Sequence, residues 1–249
     1  MVQAPQRTAV SGPTLVRLLA RLTYADVSAS SQSLSDQLSQ WLGWTDAIAL
    51  STALNGNPPA VASGARASGG AESECVRVRA SLAKAITGDS AIAAARRRGA
   101  TAVTAQGSPE PSVDFAEFRQ RYLALQQSME TGIGNLRGRL RAMLAAMTPE
   151  MTRLAVVDAI MERALGARER SLLGAVPGLL GGHFERLRNA AQDGQTSAHG
   201  QEHGTTHAAA AAHGAWLDVF RKDMQSVLLA ELEIRFQPVE GLLAALRIS

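Results

Sequence analysis

The sequence predicts an all-α protein, a helical bundle with long amphipathic helices and two or three flexible linkers. Three observations predict it. Large apolar residues recur at steps of three and four over long stretches, as the buried face of a helix requires. Capping residues and first-turn prolines stand ahead of those stripes. No segment shows the period-two alternation of a half-buried strand.

The first element follows Ser11-Gly12-Pro13, where proline at the first helical position sacrifices no needed donor. Leu15, Leu18, Leu19 and Leu22 then share one face, with Arg17 and Arg21 opposite. A serine cluster suited to N-capping precedes a second helix carrying Leu34, Leu38, Trp41 and Leu42. Gly43 interrupts it, and Thr45 or Asp46 can cap a third through Ile48, Leu50 and Leu54. Residues 1–54 therefore read as an N-terminal helical unit.

Residues 55–73 have the Pro, Gly, Ser and Ala composition of a flexible linker, too poor in large side chains to offset the entropy of ordering. A central helical region, residues 74–192, follows. It begins with Val78, Leu82 and Ile86 on one helical side, continues after a cap at Asp89 to Arg96-Arg97-Arg98, and passes through a loop at 99–112. From Phe115 the set Phe118, Tyr122, Leu125, Met129, Ile133, Leu136, Leu140, Met143 and Met147 keeps a mean step close to 3.6. Thr148-Pro149-Glu150 restarts the helix with a capping hydroxyl, a first-position proline and a first-turn acid. The two stripes fit an antiparallel hairpin or a kinked rod.

A shorter helix with Phe184 and Leu187 follows Pro177-Gly178. Residues 193–213, rich in His, Ala and Gly, read as another linker, and residues 214–249 as C-terminal amphipathic helices stopped or kinked at Pro238. Trp216, Phe220 and Met224 open their apolar stripe and are the candidate surface for a protein partner.

The chain of 249 residues, 46% hydrophobic with a mean hydropathy of −0.02, can bury a substantial core in one or two domains. Cys75 is its only cysteine, which excludes an intramolecular disulfide framework and a cysteine-type zinc site. Its longest uncharged apolar run, residues 171–184, is shorter than the roughly 20 residues of a spanning helix and is broken by Pro177-Gly178. With no cleavable signal pattern at the N-terminus, a cytoplasmic location is expected.

Three constellations invite functional readings. His199, His203 and His207 stand four apart, a spacing that can hold a divalent metal on a helix, although Gly200 and Gly204 interrupt it. Arg77, Arg79, Lys84, Arg96, Arg97 and Arg98 place a net +4 in residues 74–98, against +3 for the whole chain, and form a candidate phosphate contact for nucleic acid. Gly132-Ile133-Gly134-Asn135-Leu136-Arg137-Gly138 lacks both the spacing and the preceding strand of a dinucleotide loop and reads as close helix packing or a hinge. Glu231 and Glu233 alternate faces and cannot jointly serve one substrate. No catalytic motif and no cofactor signature emerges, so a non-enzymatic protein is expected.

Residues 11–27 (SGPTLVRLLARLTYADV), 32–54 (QSLSDQLSQWLGWTDAIALSTAL) and 216–247 (WLDVFRKDMQSVLLAELEIRFQPVEGLLAALR) together resemble a proteobacterial family defined as a domain of unknown function. That resemblance implies genes placed beside membrane proteins similar to flagellar-type stators and peptidoglycan-binding OmpA-like proteins, an arrangement resembling Zorya-type phage defence loci. It implies an accessory or adaptor role with an envelope-embedded motor, peripheral to the inner membrane through that partner. An arginine-mediated nucleic-acid-binding effector is the alternative, and self-association remains open.

Overall fold

The structure, a computed structural model, describes residues 12–25, 32–56, 68–103, 114–198 and 206–248, with backbone alone for 68–69, 89–103, 195–198 and 206–213. Among the described residues there are eight helices and no strand. They are α1 (Thr14–Thr23), α2 (Leu34–Trp41), α3 (Trp44–Asn55), α4 (Ser68–Val103), α5 (Phe115–Ala145), α6 (Pro149–Gly174), α7 (Val176–Ala198) and α8 (Thr206–Ile248).

Local chemistry accounts for most boundaries. The Ser33 hydroxyl accepts from the Asp36 amide at 3.1 Å and starts α2. The Asp114 carboxylate accepts from the Ala116 amide at 3.0 Å and starts α5. Thr148 accepts from the Met151 amide at 3.3 Å with Pro149 in the first turn of α6, as the restart signal predicts. Neither Thr45 nor Asp46 caps α3: Gly43 occupies that position without a side-chain bond, and Trp44 is already helical.

Several helices run further than their composition predicts. α4 begins at Ser68 and continues past Asp89 to Val103, so part of the 55–73 segment and the stretch after Arg98 are helical. Burial of Ala71 and Cys75 offsets the poor propensity of the Gly69-Gly70 start, and the alanines between 91 and 102 favour continuation. The expected linker at 193–213 is likewise helical through Ala198 and again from Thr206. Pro238 neither stops nor ends α8, which continues to Ile248. It removes the donor that the Ile234 carbonyl would have used.

The core forms around α5 and α8. α5 and α6 form an antiparallel hairpin: Arg137 bonds Asp158, Glu130 faces Arg170, and the Gln126 amide donates to the Leu173 carbonyl. This decides between the hairpin and the rod. α4 runs antiparallel to α8, with Arg79 at 2.6 Å from Glu240 and Arg247 bonded to Glu72. α7 packs on α8 at an aromatic cluster of Phe115, Phe118, Phe184, Trp216 and Phe220, whose neighbouring centroids lie 5.0–6.2 Å apart. The first three helices separate: α1 packs against α7 and α8, while α2 and α3 lie on α6. No helix among the described residues is long and apolar enough to cross a membrane.

Candidate functional site

Two features stand out where α5, α6 and α8 meet. The first is a polar cluster inside the core. Glu231, 0% exposed, accepts from the Tyr122 hydroxyl at 2.7 Å, from the Gln126 amide at 2.9 Å and from Arg235 Nε at 2.9 Å. Arg235 also reaches Glu169 on α6 at 3.2 Å. A buried carboxylate is costly unless its lone pairs are matched, and here three donors on two helices match them. Burial, reinforced by the adjacent Glu231 carboxylate, pushes the Tyr122 phenol up, so it stays protonated as a donor.

That arrangement sets a prediction. Tyr122→Phe is expected to cost about 1.5–3 kcal/mol, the range for a hydrogen bond to a charged acceptor, measured by denaturant unfolding. In the native protein the folded phenol keeps its proton while the unfolded one releases it above about pH 10, so wild-type stability falls as pH rises there. The variant loses that component of the alkaline decline.

The second feature is a cleft of about 330 Å³ directly outside the cluster. Its walls follow helical spacing: Glu130, Ile133, Gly134 and Arg137 on α5, Glu162, Leu165, Gly166 and Glu169 on α6, and Ile234, Arg235 and Pro238 on α8. Trp41 of α2 closes one side, and the Arg168 guanidinium lies 4.6 Å from its ring centroid. Gly134 opens onto free space, since a Cβ there would meet nothing within 4 Å. A Cβ on Gly132 would lie 3.7 Å from the Leu82 side chain, so the glycine run serves helix packing on one side and the cleft on the other.

A third element is the α2–α3 pair, in which no residue is buried. Trp44 is 82% exposed and Leu34 70%, with Ile48 and Leu54 also exposed. Trp44 and Ile48 are one turn apart on the same helical face.

A family model described as "Protein of unknown function (DUF3348)" matches residues 1–248. The chain belongs to that family. No curated protein and no solved structure matches it.

In this DUF3348 protein the residues singled out by sequence fall in different places. Trp216 and Phe220 are buried among aromatic rings, and Met224 packs against the same core, so this stripe serves the chain's own interior rather than an open partner surface. Arg77 pairs with Glu74 at 3.4 Å, and Arg139 reaches the same carboxylate at 2.7 Å. Arg79 pairs with Glu240 and also lies 5.5 Å from the Phe236 ring centroid. Lys84 is exposed on α4. Arg96, Arg97 and Arg98 lie on the same helix, their side chains outside the described residues. His199 and His203 lie outside the described residues, and His207 is described only as backbone in α8.

Among the described residues no group of three or more His, Cys, Asp or Glu could hold a metal ion. His183 is a buried structural residue whose Nε2 lies 2.9 Å from Asp223. Sequence reading missed Glu231 and Arg235 as a buried pair, and Trp41, Trp44 and Arg168 as surface features. The pair was visible as a Glu and an Arg one turn apart on the α8 apolar stripe, between Leu228 and Val239. Nothing local distinguished Arg168 from the other arginines of α6.

Proposed function

We propose that the chain is a non-enzymatic helical adaptor that works with an envelope-embedded motor complex in phage defence, of the kind encoded by Zorya-type loci. In this reading it sits at the cytoplasmic face of the inner membrane, held there by a protein partner. The observation that carries the adaptor role is the α2–α3 pair. None of its residues is fully buried, and Leu34, Trp44, Ile48 and Leu54 stay exposed, Trp44 and Leu34 the most. Burying each such side chain against a partner is favourable by about 1.5–3 kcal/mol, and tryptophan is a frequent centre of binding energy.

The charge of this surface narrows the partner. Residues 34–54 include Asp36 and Asp46 and no basic residue, and of the two acids Asp46 pairs with Arg163 of α6 at 3.3 Å. They complement an amphipathic segment flanked by Lys and Arg. Cytoplasmic loops beside membrane spans carry that excess of basic residues, which is the chemistry expected of the cytoplasmic part of a motor protein.

Pull-down of the full chain with the cytoplasmic part of the neighbouring stator-like membrane protein tests the adaptor role, and retention is the expected result. Deletion of the gene in a native host should lower phage resistance. Unchanged resistance would refute the defence assignment. The nucleic-acid alternative is disfavoured because Arg77 and Arg79 already bond carboxylates.

A further inference from the structure

The cleft between α2, α5, α6 and α8 has a charge pattern that points to a ligand. Each of its glutamates already has an arginine partner: Glu130 lies 3.3 Å from Arg170, Glu162 bonds Arg141 and lies 3.6 Å from Arg137, and Glu169 lies 3.2 Å from Arg235, while Arg137 also holds Asp158 and Arg235 also holds Glu231. Arg168 is left over. Among the described residues it has no carboxylate partner, and its guanidinium is steadied at the rim by the Trp41 ring. A planar guanidinium held on an aromatic face is already ordered to donate two parallel hydrogen bonds to a carboxylate.

We propose that this cleft binds a single carboxylate borne on an apolar body. The carboxylate pairs with Arg168, and the body lies along Leu165, Leu172 and Ile234 in the space left open at Gly134. The three lining glutamates disfavour a dianion or polyanion, because every added negative charge beyond the one Arg168 balances meets them at short range. Phosphate and nucleic acid are therefore excluded from this site. The acid comes either from a free small molecule or from an acidic side chain of a docked protein, and this inference does not depend on the adaptor reading.

Isothermal titration of the full chain, free of any partner, tests it with phenylacetate, phenylacetamide, inorganic phosphate and a capped leucine-rich peptide holding one glutamate. Phenylacetate or the peptide should bind, and phenylacetamide and phosphate should bind at least about tenfold more weakly. Tighter binding of the peptide identifies a partner's side chain as the source, and tighter binding of phenylacetate a free acid. Arg168→Gln should weaken either ligand by about tenfold or more without lowering the melting temperature, since Arg168 is exposed and bonds no carboxylate. Gly134→Leu, which fills the open space, should abolish binding. Equal binding of acid and amide, unchanged affinity in Arg168→Gln, or no binding of either acid up to about 10 mM would overturn the proposal.

Discussion

Replacing Glu231 by Ala is expected to destabilise the protein by about 3–5 kcal/mol, the cost of removing one member of a buried ion pair. The residue is fully enclosed, and its loss would leave the Arg235 guanidinium inside the core with only the Glu169 contact at its outer edge. The Tyr122 hydroxyl would lose its acceptor as well. For a chain of this size the melting temperature should fall on the order of 10 °C. A triple variant, Tyr122→Phe with Glu231→Met and Arg235→Met, should be more stable than Glu231→Ala alone. An apolar replacement removes the need for pairing, whereas the single change leaves a buried charge without its main partner. Denaturant unfolding of both variants checks this directly. If Glu231→Ala unfolded at the wild-type midpoint, the buried cluster would not be what joins α5 to α8.

Phe220→Ala is expected to cost about 3–5 kcal/mol, the range for truncating a buried aromatic side chain. Phe220 is 0% exposed and contacts Phe115, Phe118 and Phe184, with centroids 6.2, 5.1 and 5.0 Å away. Truncation removes the ring on which α5, α7 and α8 converge. A Trp44→Ser change gives the opposite profile. Trp44 is exposed, so its replacement should stay within about 0.5 kcal/mol of wild-type stability. The pair of variants separates core from surface, which the α8 stripe alone does not.

The all-α class was legible because helical periodicity is a local property, and Thr148-Pro149 and Ser33 act where their chemistry says they should. Helix lengths were less legible. Gly69-Gly70 and the stretch beyond Arg98 look unfavourable or loop-like in isolation, but burial of Ala71 and Cys75 and an alanine-rich continuation favour the long α4. The amphipathic stripe of α8 showed that Trp216 and Phe220 would be covered, not by what: the covering rings come from α5 and α7, more than 30 residues away in sequence. The same limit applies to the cleft. Trp41 and Arg168 become neighbours only because α2 lies on α6, and three of the four cleft arginines are matched by carboxylates that sequence spacing did not assign to them. Conversely, the apolar spacing of Leu34, Leu38, Trp41 and Leu42 and of Ile48, Leu50 and Leu54 predicts helices but not their exposure, and no residue of either helix is buried.

In the proposed adaptor role, α2–α3 is the surface through which the chain engages a protein at the membrane. The most direct measurement is the affinity of the full chain for the cytoplasmic part of the stator-like membrane protein proposed above as its partner, compared between wild type and a Trp44→Ser/Ile48→Ser variant of equal melting temperature. Losing two exposed apolar anchors should weaken the complex by at least about 100-fold. Undiminished affinity in the variant, or no complex with the wild-type chain, would contradict the account.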